Sequence, residues 1–374
     1  MENLNFRAKI VEKGKENDKY FVILDNTEFY PDGKGGQLGD RGQIDGKEVL
    51  LVKEINGKIL HFLYEIPEEN EVICKIDKER RLEISREHTA QHILSRILLN
   101  LYNLETLSFH MGDEYSTIDI PYFNFKDEEL EKIELSVMKI IDEGREVKKY
   151  FIDESELKNY KLRKEEEIRE KKIRIVEIEN FDITMCGGTH VDNTKDILIF
   201  KITKIEKIKG NNLRIYFKTG FRAYYDFLKK DSILRKISKE NNVGIEELDN
   251  FIFKLKDEKE ENYKKLKSVK EEFLKIYLKT KINKKVFESI EFLDQEDLIY
   301  LGKEFIKNGA NFVYLYNKNF GVIFLNEIKN LNYDIILSKL KDSFNIKGGG
   351  KDFISIKLNE NGKEIEKFLW KMIE

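Results

Sequence analysis

Cysteine is scarce in this sequence: Cys74 and Cys186 are the only two in 374 residues. Two thiols cannot staple a chain of that size, so a disulfide framework is excluded and a reducing compartment is expected. Each cysteine has to be read singly. No run of about 18 apolar residues occurs, which excludes a membrane-spanning helix. The opening MENLNFRAKI lacks the apolar centre of a secretory signal, so the expected location is cytoplasmic. Strong charge of one sign is missing as well. With a formal net charge of −3, bulk attraction does not coat the protein with nucleic acid, and a polyanionic partner must meet a local basic surface. Histidine is rare, with five copies. There are no internal repeats and no low-complexity linkers.

What is present describes a globular chain, 40% hydrophobic and 37% charged, long enough for more than one core. The expected fold class is α+β, in four parts. Residues 1–78 read as a small β-barrel, since short apolar runs such as YFVILD and VLLVKEI alternate with Gly, Asp and Asn turn signals. The glycine-rich FYPDGKGGQLGDRGQIDG (29–46) lies among them and is not helical. Residues 79–225 mix helices and strands without a regular βαβ beat, as an α+β domain does. Residues 226–285 read as a long helix whose Leu248, Ile252, Leu255, Leu266, Val269, Phe273 and Ile276 form a coiled-coil-like seam. Lys259 and Asn262 take its two skipped positions. This stretch carries 17 Lys/Arg against 12 Asp/Glu, a net of +5, and is either a solvated face or a phosphate-facing one. Residues 286–374 return to α/β, closing with an amphipathic helix through Ile365, Leu369 and Ile373.

The chemistry concentrates in two short segments. In SREHTAQHILSRILL, His88 and His92 are four residues apart on a helical pattern, so both imidazoles reach one point beside the axis. The familiar zinc-peptidase motif would need Glu after the first histidine, and Thr89 stands there instead. In CGGTH, Cys186 and His190 are also four apart, with Gly187 and Gly188 permitting a tight turn. Three imidazoles and one thiolate match a tetrahedral Zn2+ site. Four protein ligands normally close a structural zinc, whereas a catalytic zinc keeps a position open. The conflict has three resolutions: one ligand swings away, the metal becomes five-coordinate, or zinc holds substrate while another group handles water. Among the other histidines, His110 reads as a core or tautomer-fixed residue, with a role beside the site as the alternative, and His61 with Cys74 as structural.

HTAQH followed by CGGTH resembles the editing domain of alanyl-tRNA synthetase and the free-standing AlaX-type alanyl-tRNA editing proteins in their long form. The segment TEFYPDGKGGQLGDRG is similar to the family's glycine-rich stretch, with one extra residue between Pro31 and Gln37. SFHMGDEYSTID and NLRIYF are similar to family stretches too, and NTKDI departs from the pattern at Lys195 and Asp196. The helical segment with the GGG-containing unit resembles the synthetase's C-terminal domain, so 286–374 is expected to be DHHA1-like. Threonyl-tRNA synthetase shares a related histidine and cysteine pattern, and the GGQ segment favours the alanine side. No stretch resembles the ATP-binding core of a class II synthetase.

The resemblance implies a hydrolase that clears mischarged Ser-tRNA(Ala) in trans by zinc-dependent ester hydrolysis, and leaves open whether glycyl ester is cleared too. It implies that Thr27 meets the serine hydroxyl and that Gln37, Gly35 and Gly36 line the pocket. From the residues alone, Thr27 reads equally as a turn hydroxyl and the glycines as a plain turn. The tRNA acceptor end would cross the junction of the first two domains, and the helical and C-terminal units would hold the tRNA body or join two chains. The alternatives are a zinc hydrolase of another class, peptidase or amidase, and a non-catalytic RNA-binding protein with structural zinc.

Overall fold

The strands β1 (Asn5–Glu16), β2 (Lys19–Leu24), β3 (Gly42–Ile44), β4 (Lys47–Ile55), β5 (Lys58–Leu63) and β6 (Glu71–Ile76) close into a barrel, ordered β1-β2-β5-β4-β3-β6. Period-two alternation explains the closure. Phe6, Ala8 and Ile10 of β1 and Val72, Cys74 and Ile76 of β6 point inward, while their neighbours face solvent. The computed structural model describes residues 4–16, 18–164, 172–280, 283–326, 328, 331–344, 346–359 and 361–374. His61 and Cys74 are barrel residues, as expected. Burial holds His61 down to about 4 and pushes the Cys74 thiol up to about 12.

Helix α1 (Lys78–Tyr102) follows directly. Its N-cap Asp77 accepts from the amides of Glu79 and Arg80, and it ends at Asn103, which takes a left-handed conformation. Buried on most sides, α1 is the central post of a core that also draws on α2 (Asp127–Glu143) and two sheets. One sheet orders β12 (Phe200–Ile208), β13 (Asn212–Thr219), β8 (Ser116–Pro121) and β7 (Ser108–Met111). The other orders β11 (Asp182–Met185), β10 (Lys172–Ile178) and β9 (Val147–Asp153).

A buried ion pair fastens the glycine-rich loop to α1. Asp40 accepts from Arg81 through both oxygens, Nε to Oδ1 at 2.8 Å and Nη2 to Oδ2 at 2.5 Å, and also from the Tyr30 amide. Removing either partner would strand a buried charge at a cost of about 3–5 kcal/mol. Gly36, at φ +76°, lies so close to the Phe109 carbonyl that a Cβ would sit 2.3 Å from its oxygen.

The chain forms two compact units, Met1–Asn241 and Asn242–Glu374. The helical stretch expected over 226–285 is broken rather than continuous. Helix α3 (Gly220–Asn241) ends the first unit and α4 (Leu248–Thr280) begins the second, separated by Asn242 at φ +56° and a short 3-10 turn. Positions 281 and 282 lie outside the described residues. In the second unit β14 (Lys285–Ser289), β15 (Phe312–Tyr316), β16 (Phe320–Leu325), β18 (Ile354–Lys357) and β17 (Lys347–Gly349) form one sheet in that order. Helices α4 and α5 (Gln295–Lys307) cover one face; α6 (Tyr333–Ser343) and α7 (Gly362–Ile373) cover the other. Both faces being covered explains why FVYLY is apolar throughout: Val313 and Leu315 point one way, Phe312, Tyr314 and Tyr316 the other. Leu274 anchors α4 on this core, whereas Ile252, Leu255, Leu266, Val269 and Ile276 of the expected seam are exposed. Among the described residues no helix is long and apolar enough to cross a membrane.

Candidate metal centre

One face of α1 carries His88, Gln91, His92, Ser95 and Leu99 at three- and four-residue steps. Facing it, β11 runs out at Met185 into the CGGTH loop. This brings the donor atoms of His88, His92, Cys186 and His190 within 4.8 Å of one another. Cys186 Sγ is 3.5 Å from His88 Nε2 and 3.3 Å from His190 Nε2. The three histidines are buried and Cys186 is partly so.

The loop folds this way because a side chain at Gly188 has nowhere to go. A Cβ there would lie 2.2 Å from His88 Cε1 and 2.7 Å from Gln37 Oε1. Arg174 clamps the turn by donating to the carbonyls of Cys186 and Gly188 at 2.7 and 2.8 Å.

Hydrogen bonds set two of the imidazoles. His88 Nδ1 donates to Gln37 Oε1 at 2.7 Å; the same oxygen accepts from the Thr189 amide, and Gln37 Nε2 donates to Thr189 Oγ1. Thr89 Oγ1 gives its proton to the Ser85 carbonyl at 2.8 Å, so it can only accept from His190 Nδ1, 3.1 Å away. Both arrangements leave the Nε2 lone pairs facing the cluster, which is what metal ligation requires. His92 differs, its Nδ1 lying 3.7 Å from Asp182 Oδ2 with no hydrogen bond of its own.

Asp182 is fully enclosed. Burial would raise its pKa, but His92, Arg163 and Arg96 hold it at about 2. Burial likewise opposes ionisation of Cys186, yet His88 and His190 draw the thiol well below its ordinary value. Burial and His88 push His190 well below the usual imidazole value. Three imidazoles and one thiol are the donor set zinc takes, so the residues fit that metal.

The cluster opens into a cavity of about 330 Å³ whose walls include Gly35, Gln91, Ser95, Thr106, Phe109 and Arg163. Phe109 stacks on the His88 ring at 5.2 Å.

The expected site residues fall into distinct places. Gly35 lines the cavity, while Gly36 supports it from behind against Phe109. Gln37 is buried behind His88 rather than on the cavity wall. Thr27 is not among the residues lining the cavity. Its hydroxyl lies 2.9 Å from His61 Nε2 and accepts from the Phe29 amide at 3.1 Å. His110 is exposed on β7 and lines a separate surface hollow, contrary to the core role expected of it. Strand alternation turns Phe109 and Met111 inward and His110 out. Lys195 and Asp196 sit on an exposed 3-10 turn. Sequence reasoning gave no role to Thr89, Asp182, Ser95 or Thr106, although Thr89 and Ser95 stand inside the helical segment it singled out.

The sequence matches the family described as "Threonyl and Alanyl tRNA synthetase second additional domain" over residues 173–216. It is 34% identical over 367 residues to the alanyl-tRNA editing protein AlaX-L of Pyrococcus horikoshii, covering 92% of this chain and 89% of that one. It is 30% identical over 288 residues to the alanine–tRNA ligase of Methanopyrus kandleri, covering 74% of this chain but only 31% of the ligase. The alanyl-tRNA editing protein Aarsd1-A of Xenopus laevis is 32% identical over 222 residues, 58% of this chain and 54% of that protein. With two histidines on one helix meeting a cysteine and a histidine from a glycine turn, and with likeness along nearly its whole length, the chain belongs to the AlaX family of alanyl-tRNA editing proteins.

Proposed function

We propose that this protein hydrolyses the ester of mischarged Ser-tRNA(Ala) in trans, with a zinc ion held by His88, His92, Cys186 and His190. The observation that carries this reading is the donor cluster itself, two of its histidines preset by Gln37 and Thr89, beside a cavity of about 330 Å³. The chain's likeness to the alanyl-tRNA editing proteins AlaX-L and Aarsd1-A supports alanyl-tRNA as the substrate class. Zinc bound there would supply a Lewis acid for the ester carbonyl or a water of lowered pKa. The chain's own part is to orient the ligands, wall the ester away from bulk water and place Lys164 at the cavity for a phosphate.

A second site makes physical sense because a pocket that merely tolerates one added hydroxyl rejects it only about 10²-fold. We assign the reading of that hydroxyl to Thr27 on the family resemblance alone, since its own hydroxyl is bonded to His61 and stands off the cavity wall. The lysine-rich stretch 226–285 would hold tRNA phosphates, giving salt-sensitive affinity. The exposed apolar positions of α4 would pair two chains.

A saturated four-ligand site favours one other reading, a purely structural zinc in an RNA-binding protein. Purified protein incubated with seryl-, alanyl- and threonyl-tRNA separates the two. The deacylase reading expects seryl ester to be cleared, alanyl ester to be spared, and His92→Ala to be inactive. RNA binding without turnover would instead support the structural-zinc reading.

A further inference from the structure

Behind the rings of His88 and His190 stand hydrogen-bond partners, but His92 Nδ1, though buried, has none among the described residues. A buried ring nitrogen left over in this way is rare and needs an explanation. Asp182 Oδ2 stands 3.7 Å from it, beyond hydrogen-bond length. Asp182 is the first residue of β11 and is sealed from solvent. Its carboxylate accepts from Arg96 Nε at 2.8 Å, Arg163 Nη1 at 2.8 Å and Thr184 Oγ1 at 2.9 Å. A carboxylate offers about four acceptor places, so these three donors do not exhaust it. The same groups fix where the carboxylate stands relative to the ring. Arg96 lies one helical turn beyond His92 on α1, and Arg163 Nη1 also donates to the His92 carbonyl at 2.7 Å. Charge balance with the two arginines accounts for the ion pairs, but not for the ring nitrogen left over beside them.

From this juxtaposition we infer that Asp182 is the positioning residue of His92: in the zinc-loaded protein the His92 Nδ1–H closes on the carboxylate, which fixes the ring and leaves Nε2 as its donor. Each imidazole of the cluster then has a partner of a different kind. His88 has the amide oxygen of Gln37, His190 the hydroxyl of Thr89, and His92 a carboxylate. A hydrogen bond to an ionised acceptor is roughly twice as strong as one to a neutral oxygen, and it raises the basicity of the ring that donates it. His92 is thereby the firmest nitrogen donor of the cluster. The inference rests on the proposed zinc reading, and its test does not depend on turnover.

The zinc stoichiometry of the wild type is measured first. Protein labelled with 15N-histidine is then loaded with zinc, and its ring nitrogens are read by NMR in wild type and Asp182→Asn. The His92 signals are assigned by their absence from His92→Gln. In wild type, His92 should carry its proton on Nδ1, shifted downfield as a proton shared with a carboxylate is. Asp182→Asn keeps the side-chain shape and removes the charge. There the His92 proton should move upfield while the His88 and His190 signals stay in place, a selectivity that general loosening of the fold would not give. Zinc affinity, by competition against a chromophoric chelator, should fall about 10–100-fold in the same variant. Ligation of His92 through Nδ1, or an Nδ1 proton without the downfield shift, would overturn the inference. So would an Asp182→Asn variant that binds zinc as wild type does. If that variant does not fold, the wild-type spectrum alone decides. A wild type that takes up no zinc ends the zinc reading and this inference together; a zinc-loaded wild type whose His92 proton is unshared ends the inference alone.

Discussion

Thr89 and His190, 101 residues apart, meet at 3.1 Å, and the direction of that hydrogen bond is fixed because the threonine proton is already committed to the Ser85 carbonyl. The residue that stands where a peptidase would carry glutamate therefore orients an imidazole of the donor cluster. Thr89→Val should weaken zinc binding by about 10–100-fold, the usual cost of losing such a partner, while Thr89→Ser should restore most of it. Competition against a chromophoric chelator measures this directly. Equal affinities for the valine variant and wild type would remove Thr89 from the account.

Gly188 tests the packing of the same turn. Gly188→Ala drives a methyl to within 2.2 Å of His88 Cε1, whereas Gly187 has nothing within 4 Å of the position its Cβ would take. The first variant should lose stoichiometric metal and the second should keep it. Metal content by mass spectrometry of the two purified variants decides the matter.

Gln37 connects the barrel loop to the metal centre through His88 and Thr189. Gln37→Ala should leave the barrel folded but reduce deacylation by about 10–100-fold, again through ligand orientation. Circular dichroism together with a seryl-tRNA assay gives both readouts. A variant with full activity would show that His88 needs no partner.

His61 supplies the pH test. Its folded value of about 4 lies below the ordinary imidazole value, so the folded state binds fewer protons than the unfolded one. Its contribution is fully present above the unfolded pKa and is lost progressively as pH falls toward 4, by up to about 3 kcal/mol. Denaturant midpoints should drop over that window, and His61→Gln should flatten the drop. The glutamine variant following the wild-type slope would place the titration elsewhere.

The exposed seam of α4 is a prediction about assembly. Val269 and Ile276 are 64% and 63% exposed in the single chain, alongside Leu266 and Leu255. Sedimentation should report a concentration-dependent dimer, and Leu266→Asp with Val269→Asp should convert it to monomer. A wild type that stays monomeric at high concentration would leave these residues without a partner copy.

The meeting of His88, His92, Cys186 and His190 was legible in the sequence because both pairs are chemically distinctive and keep a spacing that local geometry can exploit. The barrel was legible through strand alternation. What could not be read were the groups behind the ligands. Gln37 meets His88 and Thr89 meets His190 only after barrel, helix and loop have packed, and nothing local to either segment encodes the pairing. His110 was misjudged for a related reason: histidine suits both faces of a strand, and only the positions of Phe109 and Met111 reveal which way it turns. The break between α3 and α4 falls at Asn242 and Gly244, ahead of Leu248 where the seam begins, so the spacing of the seam carries no sign of it.

The most direct measurement strips the protein of metal with a chelator, adds back about one equivalent of zinc, and follows Ser-tRNA(Ala) deacylation throughout. Activity should vanish on stripping and return on zinc addition in wild type, and never appear in a variant lacking Cys186. Full deacylation by metal-free protein would contradict the account.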